Sequence, residues 1–401
     1  MINIQDKKKC CGCSACEQVC PKRCIQMVAD HEGFFYPEID LDTCIDCHLC
    51  EKVCPVLNVE SEKEKQQSAH LLQIRDDAIR RESASGGAFT AIAKWVIKQG
   101  GVVFGAAFDI DTFEVHHLWC DSEEGLSQFR NSKYVQSHIG NSYKEVQAFL
   151  NAGRWVCFSG TPCQIEGLHH FLRKKQYETL LLVDVVCYGI PSPGVFRDYM
   201  QWKQQQIGGK FCKMLFREKR LCYNYTSFSI FNEKPTLDYH SGVEREPFMQ
   251  SFFSDMNVRP SCYDCKFKKR YRVSDFTIWD CYDVKAFSKN FDNDGTNRVL
   301  VHTPLGEMVM SEIKAWTKEE TYSNIPRFIA DEVAMVKSVP MNPKREAFFA
   351  DYKSMQMSDL MEKWFPLTWK VRMNSFLRMT AFRFGVYSDA KRIVKKLLRK
   401  N

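Results

Sequence analysis

The pattern of hydrophobic and polar residues alternates between apolar runs and helical segments over the middle of the chain. Residues 88–97 have a helical pattern, and the apolar residues 102–108 predict a buried strand. Strand-like runs at 154–158 and 180–187 are each followed by a glycine-containing turn and a helical pattern, at 165–171 and 196–206. This alternation predicts an α/β core whose ligands bind at the C-terminal ends of the strands.

Other segments have patterns of their own. Residues 59–68 are polar and charged, as expected of a linker, and residues 130–137 lack periodicity, which predicts a loop. Residues 210–240 are more typical of strands. We therefore predict a small domain at 1–58, a linker at 59–68, and a larger α/β domain whose two parts cover 69–150 and 151–350.

Composition and charge narrow the class of protein. The 401 residues are 44% hydrophobic and 26% charged, which is typical of a globular protein. The formal net charge of +7 is too diffuse to indicate nucleic-acid binding. We expect neither a secretory signal nor a membrane span, because no apolar run has the required length and position. Nineteen cysteines in such a chain indicate a reducing cytoplasm rather than a disulfide framework.

The first 55 residues contain one cysteine pattern twice. Each run reads C-x2-C-x2-C-x3-C-P, the spacing of bacterial two-cluster ferredoxins, in which the fourth cysteine of one run binds the other cluster. Zinc sites usually show separated ligand pairs, so iron–sulfur clusters are favoured over zinc. The predicted ligand sets are Cys10, Cys13, Cys16 and Cys54 for one 4Fe–4S cluster, and Cys44, Cys47, Cys50 and Cys20 for the second.

A further pair of cysteines forms the only C-x2-C sequence outside this domain. Cys262 and Cys265 supply half of a metal site. Cys163 and Cys187, each in a turn after a predicted strand, offer the other half. Convergence of the four would complete a third 4Fe–4S cluster, and buried thiols without a metal are the alternative.

A helix start with the sequence Ser85-Gly86-Gly87 has two interpretations. Its backbone N–H groups could bind a phosphate, or the residues could simply cap the helix. The residues alone favour the cap.

Beyond the cysteines, short motifs follow one another along the chain. They are Ser85-Gly86-Gly87, residues 132–137, Gly160-Thr161-Pro162-Cys163-Gln164, residues 189–192, Phe216-Arg217-Glu218-Lys219, residues 248–250 and residues 259–265. In this order they resemble the coenzyme F420 hydrogenase/dehydrogenase beta-subunit family, a group of iron–sulfur flavoproteins. The similarity covers residues 1–350.

The resemblance implies FAD, two ferredoxin clusters and a further cluster on the later cysteines. Lys133 and helix N-termini would neutralise the FAD pyrophosphate. The implied fold class is α+β, with a small two-cluster ferredoxin domain followed by a larger α/β flavin-binding domain with a mixed sheet. The flavin-site candidates are Ser85, Gly86, Gly87, Ser132, Lys133, Gln136, Gly160, Thr161, Pro162 and Gln164.

One segment departs from the family. Where the family has Gly-Asp-x-Trp-Gly, this chain reads Trp279-Asp280-Cys281-Tyr282-Asp283. The loss of both glycines argues against close approach of a ligand to the backbone here. Asp280 is retained.

The C-terminal segment, residues 351–401, is predicted as a basic helical tail outside the resemblance. Apolar residues repeat at helical spacing from Trp369 to Phe384, and residues 367–400 hold ten Lys and Arg but one acid, Asp389. A basic amphipathic helix lies on anionic lipid or docks on a partner. Peripheral contact with the inner membrane face is thus one prediction, and a terminal helix packed on the core is the other.

Three functions remain open. The first is an FAD- and iron–sulfur-dependent oxidoreductase acting on a small organic substrate, with a ferredoxin or a dehydrogenase subunit as its redox partner. The second is a non-catalytic electron-transfer subunit of a hydrogenase or dehydrogenase complex. The third is a zinc-stapled interaction protein. The residues favour the first and identify neither the substrate nor a catalytic side chain.

Overall fold

A computed structural model describes residues 1–384 and 387, and these form an α+β fold. The strands are β1 (Ile25–Ala29), β2 (Phe35–Ile39), β3 (Ser68–Ile74), β4 (Val102–Asp109), β5 (Glu114–Cys120), β6 (Val156–Gly160), β7 (Leu180–Val185), β8 (Phe211–Cys222), β9 (Tyr225–Asn232), β10 (Tyr239–Gly242), β11 (Phe276–Asp280), β12 (Asn297–Val301) and β13 (Thr317–Thr321). The helices are α1 (Ala15–Val19), α2 (Leu49–Lys52), α3 (Asp77–Glu82), α4 (Ala88–Lys98), α5 (Ser142–Asn151), α6 (Pro162–Phe171), α7 (Pro193–Ile207), α8 (Pro247–Phe253), α9 (Pro304–Glu312), α10 (Ile325–Ile329), α11 (Arg345–Ser354), α12 (Met357–Trp364) and α13 (Trp369–Arg383).

A mixed sheet in the order β13-β3-β12-β11-β7-β6-β4-β5 organises the larger part of the chain. Strands β4, β6, β7 and β11 are mutually parallel, and β3 shares their direction because both β3 and β11 pair antiparallel with β12. The C-terminal ends of these five strands therefore lie along one edge, which we call the strand-end edge. A second sheet, β10-β9-β8, is antiparallel.

The alternation predicted from the sequence is present, with shifted boundaries. The residues after β6 were expected to form a turn, but α6 already begins at Pro162. Proline suits the first helical position, and Thr161 with Gln164 forms a capping box there. Helix α7 likewise begins at Pro193, where the Ser192 hydroxyl accepts the Val195 N–H. Capping chemistry fixed both starts earlier than hydrophobic spacing indicated.

The N-terminal cysteine-rich unit packs directly on the larger part. Strands β1 and β2 form a hairpin between the two cysteine runs, and α1 lies against α5 and α6. Ala15 and Val53 share one apolar core with Tyr143 and Leu168. The predicted linker is hydrogen-bonded to the larger part, since the Glu62 side chain accepts the backbone N–H groups of residues 270 and 271.

The C-terminal helices divide into packed and exposed parts. Helix α11 crosses the predicted boundary between residues 350 and 351, and Phe349 and Leu360 lie in one core with Phe34 of the hairpin. Arg345 forms a buried, two-pronged ion pair with Glu32, at 2.8 and 2.6 Å. Residues 351–365 thus pack in the body rather than forming a tail, whereas α13 is largely exposed. Among residues 1–384 and 387, none of the helices has the length and apolar character needed to cross a membrane.

Candidate functional site

Two neighbouring cavities hold the thiols of the cysteine runs. A partly open cavity of about 310 Å³ contains one predicted ligand set, and one of about 350 Å³ contains the other. We call them the inner and outer sets. The inner cavity is lined by Cys10, Cys13, Cys16 and Cys54, with Cys11; the outer by Cys20, Cys44, Cys47 and Cys50, with Cys24. The fourth cysteine of each run thus lies with the other run, as the crossed assignment requires.

The two sets differ in their exposure. Cys13, Cys16 and Cys54 are buried, whereas Cys47 is exposed. Burial raises the pKa of the Cys16 thiol, and the charges of Cys10 and Cys54 raise it further. Buried thiolates in such a group need a bound cation, which a metal cluster supplies. The donor sets therefore fit iron–sulfur clusters, with the outer one closer to solvent.

Two cysteines beyond the runs lie against these sets. The Cys24 sulfur is 3.3 Å from that of Cys20, and burial raises the pKa of Cys24 to about 12. Cys11 lies between Cys13 and Cys163, and its interaction with the Cys13 thiol raises the pKa of Cys11 well above its usual value. Neither Cys11 nor Cys24 belongs to the repeated runs, and no spacing rule points to these contacts.

Helix α6 connects the inner set to the larger sheet. A Cβ added at Gly167 would lie 3.1 Å from the Cys13 sulfur and 2.8 Å from its Cβ. Cys163 begins the same helix, one turn before Gly167, so the two share a face. Glycine is therefore needed at 167 for close approach, and Cys11 and α6 bridge the inner set and Cys163.

A buried cation lies beside the inner set. Arg259 is 1% exposed and donates to the Cys10 carbonyl at 2.9 Å and the Phe35 carbonyl at 2.8 Å. Its Nη2 also lies 3.7 Å from the Cys10 sulfur, and its guanidinium stands 4.4 Å from the centre of the Tyr36 ring. Sequence reasoning placed Arg259 only within a family motif.

The four later cysteines converge at the strand-end edge. Cys187 follows β7, Cys163 follows β6, and Cys262 and Cys265 lie in a helical turn at residues 260–264 and its end. Burial raises the pKa of Cys187 to about 12, with contributions from the charges of Cys163 and Cys265. Burial also raises the pKa of Cys262, and the charges of the three other thiols raise it further. Four mutually interacting thiols, of which Cys262 is buried and the other three are half-buried, suit a cubane cluster better than isolated core residues.

Metal-site geometry and family models give two further observations. Among residues 1–384 and 387, no three or more His, Cys, Asp or Glu side chains are arranged to hold a single metal ion.

Residues 9–58 match the model of the 4Fe–4S dicluster domain, and residues 153–324 match that of the C terminus of the coenzyme F420 hydrogenase/dehydrogenase beta subunit. The chain is thus similar to a dicluster ferredoxin domain near its N terminus and, over residues 153–324, to the beta subunit of this oxidoreductase family.

One solved structure is similar to this chain over most of its length. A chain of the F420-reducing [NiFe] hydrogenase complex from Methanosarcina barkeri, studied by xenon derivatisation, is 15% identical, with a TM-score of 0.44. The match covers 76% of this chain and 94% of that chain. None of the curated proteins compared with this chain matches it.

At the first predicted flavin position, residues 85–87, the polar groups are taken up by contacts within the protein. The Ser85 hydroxyl donates to the Thr296 carbonyl at 2.6 Å. A Cβ on Gly86 would lie 2.4 Å from the Leu72 carbonyl oxygen. Gly87, at φ 82°, is the N-cap of α4, and Asn297 accepts the Ala88 N–H. The cap interpretation therefore accounts for Ser85, Gly86 and Gly87, and their role as flavin ligands stays a prediction.

Two predicted glutamines also bind protein groups. The Gln136 side-chain amide donates to the Cys11 carbonyl at 3.1 Å and accepts from Arg259 at 2.8 Å. It therefore joins the segment at residues 130–137 to the inner set. Gln164 caps α6 through the Thr161 N–H and donates to Ser137. The segment containing Gly160, Thr161 and Pro162 lies at the strand-end edge, where β7, β11 and β12 separate β6 from β3.

Among the predicted flavin-site residues, Lys133 is the one best suited to bind an anion. It lies half-buried beside Ser132, and its ammonium donates to the backbone carbonyls of Gln128 and Arg130. Burial lowers the pKa of Lys133 to about 7. A phosphate placed there would restore the charged form, because an opposite charge favours ionisation.

A polar and aromatic cluster at the strand-end edge was not predicted as a site. Asp280, at the end of β11, binds the buried Arg217 at 2.5 Å and the Tyr223 hydroxyl at 3.1 Å. The Tyr282 ring stacks on that of Tyr223, 5.4 Å between centres, and remains 47% exposed. The segment that departs from the family thus presents an aromatic face here. The motif 216–219 and the retained Asp280 were the available signals.

The crossed ligand sets give a direct test. Replacing Cys54 by serine should perturb the inner cluster, because this thiol lines the inner cavity rather than that of its sequence neighbours. Electron paramagnetic resonance of the reduced protein should show altered inner-cluster signals with the outer ones retained. Cys20→Ser is the matched variant and should do the reverse. Loss of the outer signals in Cys54→Ser would contradict the crossing.

Proposed function

We propose that this chain is an FAD-dependent iron–sulfur oxidoreductase that passes electrons between a protein partner and a small organic substrate. The observation that carries this proposal is the series of thiol sets from the exposed Cys47 to the strand-end edge. The series begins at the outer set and continues to the inner set, which contacts α6. It ends at the four later cysteines, Cys163, Cys187, Cys262 and Cys265. A series of this kind suits stepwise electron transfer through the protein.

In this proposal each cofactor has its own set of residues. The three thiol sets would hold three 4Fe–4S clusters, two in the ferredoxin domain and one in the beta-subunit domain. FAD would supply the conversion between one-electron transfer and two-electron chemistry on the substrate. Lys133 would bind its phosphates.

The strand-end edge supports the placement of a flavin. Cations at Lys133 and Arg217 and the exposed Tyr282 ring lie near strand ends, where ligands of open α/β sheets bind. Arg217 is held by Asp280 and by reciprocal backbone hydrogen bonds with the Asn131 side chain. Its position is therefore fixed before any ligand arrives.

Electron exchange with the partner would take place at the outer set. Cys47 is exposed, and Leu41 and Ile45 beside it are exposed apolar residues. The outer cluster would be approached there by a ferredoxin or by a dehydrogenase subunit, and the residues permit either direction of electron flow. We place this activity in the reducing cytoplasm, because iron–sulfur clusters and free thiols persist there. The C-terminal helix α13 would bring the chain to the inner membrane face.

Flavin binding is tested on protein purified without oxygen. We expect FAD together with iron and sulfide, and bleaching of flavin and cluster bands when dithionite or reduced ferredoxin is added. Lys133→Ala should weaken FAD binding about 10- to 100-fold, since a charge-assisted hydrogen bond contributes about 1.5–3 kcal/mol. Lys353→Ala, an exposed lysine on α11, is the matched control.

The competing function is a non-catalytic electron-transfer subunit. Protein with full clusters that neither contains nor takes up FAD would contradict the proposal and leave this alternative. Turnover of a deazaflavin, a nicotinamide or a dye by the isolated chain would support the enzyme instead.

A further inference from the structure

Helix α13 is attached to the body of the protein along one side only. The Ser375 hydroxyl donates to Glu244 at 2.8 Å, and Arg378 forms an ion pair with the same carboxylate at 3.3 Å. The Phe382 ring lies 5.5 Å from that of Tyr225, between centres. These contacts fix the rotation of the helix about its axis, so one particular face points outward.

The outward face is apolar and unusually exposed. At 100° per residue, five of the six exposed large apolar residues at 369–384 fall within an arc of about 100°, and the sixth, Met379 (41% exposed), lies about 60° beyond one margin. Single exposed apolar residues are common, but a continuous row on one helix marks an interaction surface. The row consists of Trp369 (66% exposed), Met373 (48%), Phe376 (62%), Leu377 (58%) and Phe384 (73%).

Cations border this row on both sides. At the same angular spacing, Lys370 lies beyond one margin, and Arg372 and Arg383 lie beyond the other. Residues 369–384 contain no Asp or Glu. Long basic side chains at the margins of an apolar face can reach lipid headgroups while the apolar residues enter the acyl boundary.

We propose that α13 is an interfacial helix that binds an anionic membrane surface. The described residues do not show the alternative, a terminal helix that packs on the core through this row. The row points away from Glu244 and Tyr225, which are the residues that α13 contacts. Anionic lipid is favoured over a protein partner because the two basic margins match a plane of negative headgroups. This inference is independent of the flavin and of the clusters.

The test uses the full chain, purified without oxygen, and vesicles in a sedimentation assay. Vesicles of phosphatidylcholine alone are compared with vesicles containing phosphatidylglycerol, which is anionic. We expect more than tenfold tighter binding to the anionic vesicles at about 0.1 M salt, and loss of that preference at about 1 M, where the screening length falls to about 3 Å.

Variants locate the binding surface. Phe376→Ser with Leu377→Ser should weaken binding more than tenfold, since both side chains are exposed and the fold does not depend on them. Val336→Ser with Met341→Ser alters two exposed apolar residues elsewhere and should bind as the parent does. Equal binding to both vesicle types, or unchanged binding of the Phe376/Leu377 variant, would overturn the proposal, as would binding only to a protein partner.

Discussion

Replacing Cys262 and Cys265 together by serine is expected to lower the iron content of anaerobic protein from about twelve to about eight atoms per chain. Each cubane holds four irons, and two of the four ligands of the proposed third cluster would be lost. The thiols of the later set respond to one another's charges, whereas the inner and outer sets line separate cavities. The loss should therefore be confined to the third cluster. Iron and sulfide analysis with resonance spectroscopy measures it.

The matched control replaces cysteines outside the three sets. Cys212 is exposed and Cys222 half-buried, both on β8. Their double serine variant should keep all the iron of the parent protein. A parent that contains about eight irons, unchanged in Cys262→Ser with Cys265→Ser, would rule out the third cluster while leaving the ferredoxin pair intact.

Replacing Arg259 by methionine is expected to lower the reduction potential of the inner cluster by about 60 mV or more. The guanidinium lies against the Cys10 sulfur in a buried site, where it stabilises the more negative, reduced form. A hydrogen bond to a charged group contributes about 1.5–3 kcal/mol. For one electron, about 1.4 kcal/mol corresponds to 59 mV. A redox titration followed by electron paramagnetic resonance measures the shift.

The outer cluster serves as the internal control for Arg259→Met. Its potential should stay unchanged, because Arg259 contacts the inner set only. Arg259→Lys should shift the inner potential less, since it keeps the charge but loses the paired donors. Arg259→Met also leaves the Phe35 carbonyl without its donor, so circular dichroism should first establish that this variant folds. A folded methionine variant with an unchanged inner potential would contradict this role.

A raised inner potential would favour electron flow inward from the exposed outer set. The two sets come from one repeated sequence, yet only the inner one has a buried guanidinium and contact with α6. Packing on the beta-subunit domain therefore makes the two halves of the repeat unequal.

The sequence by itself determined those features that depend on local spacing. The C-x2-C-x2-C-x3-C-P runs predict cluster ligands within a few residues of chain, and the crossed pairing is a prediction from the same rule. Alternating strand and helix patterns identified the α/β core, because burial of one face imposes its period on the residues. Helix starts were less well predicted, since the caps at Thr161 and Ser192 act through one or two local hydrogen bonds that hydrophobic spacing does not reveal.

Only the tertiary structure decided which residues meet across long separations. Arg259 and Cys10 are 249 positions apart and make contact because the hairpin packs against the segment that follows α8. Gln136 and Ser85 were predicted as flavin-site residues, but their side chains donate hydrogen bonds to backbone carbonyls of the protein. No local sequence pattern reveals such competing partners. Asp280 and Arg217 meet at the strand-end edge because β11 and β8 bring them there. The outward direction of the α13 row likewise depends on Glu244 and Tyr225, since helical spacing defines a face but not what it points toward.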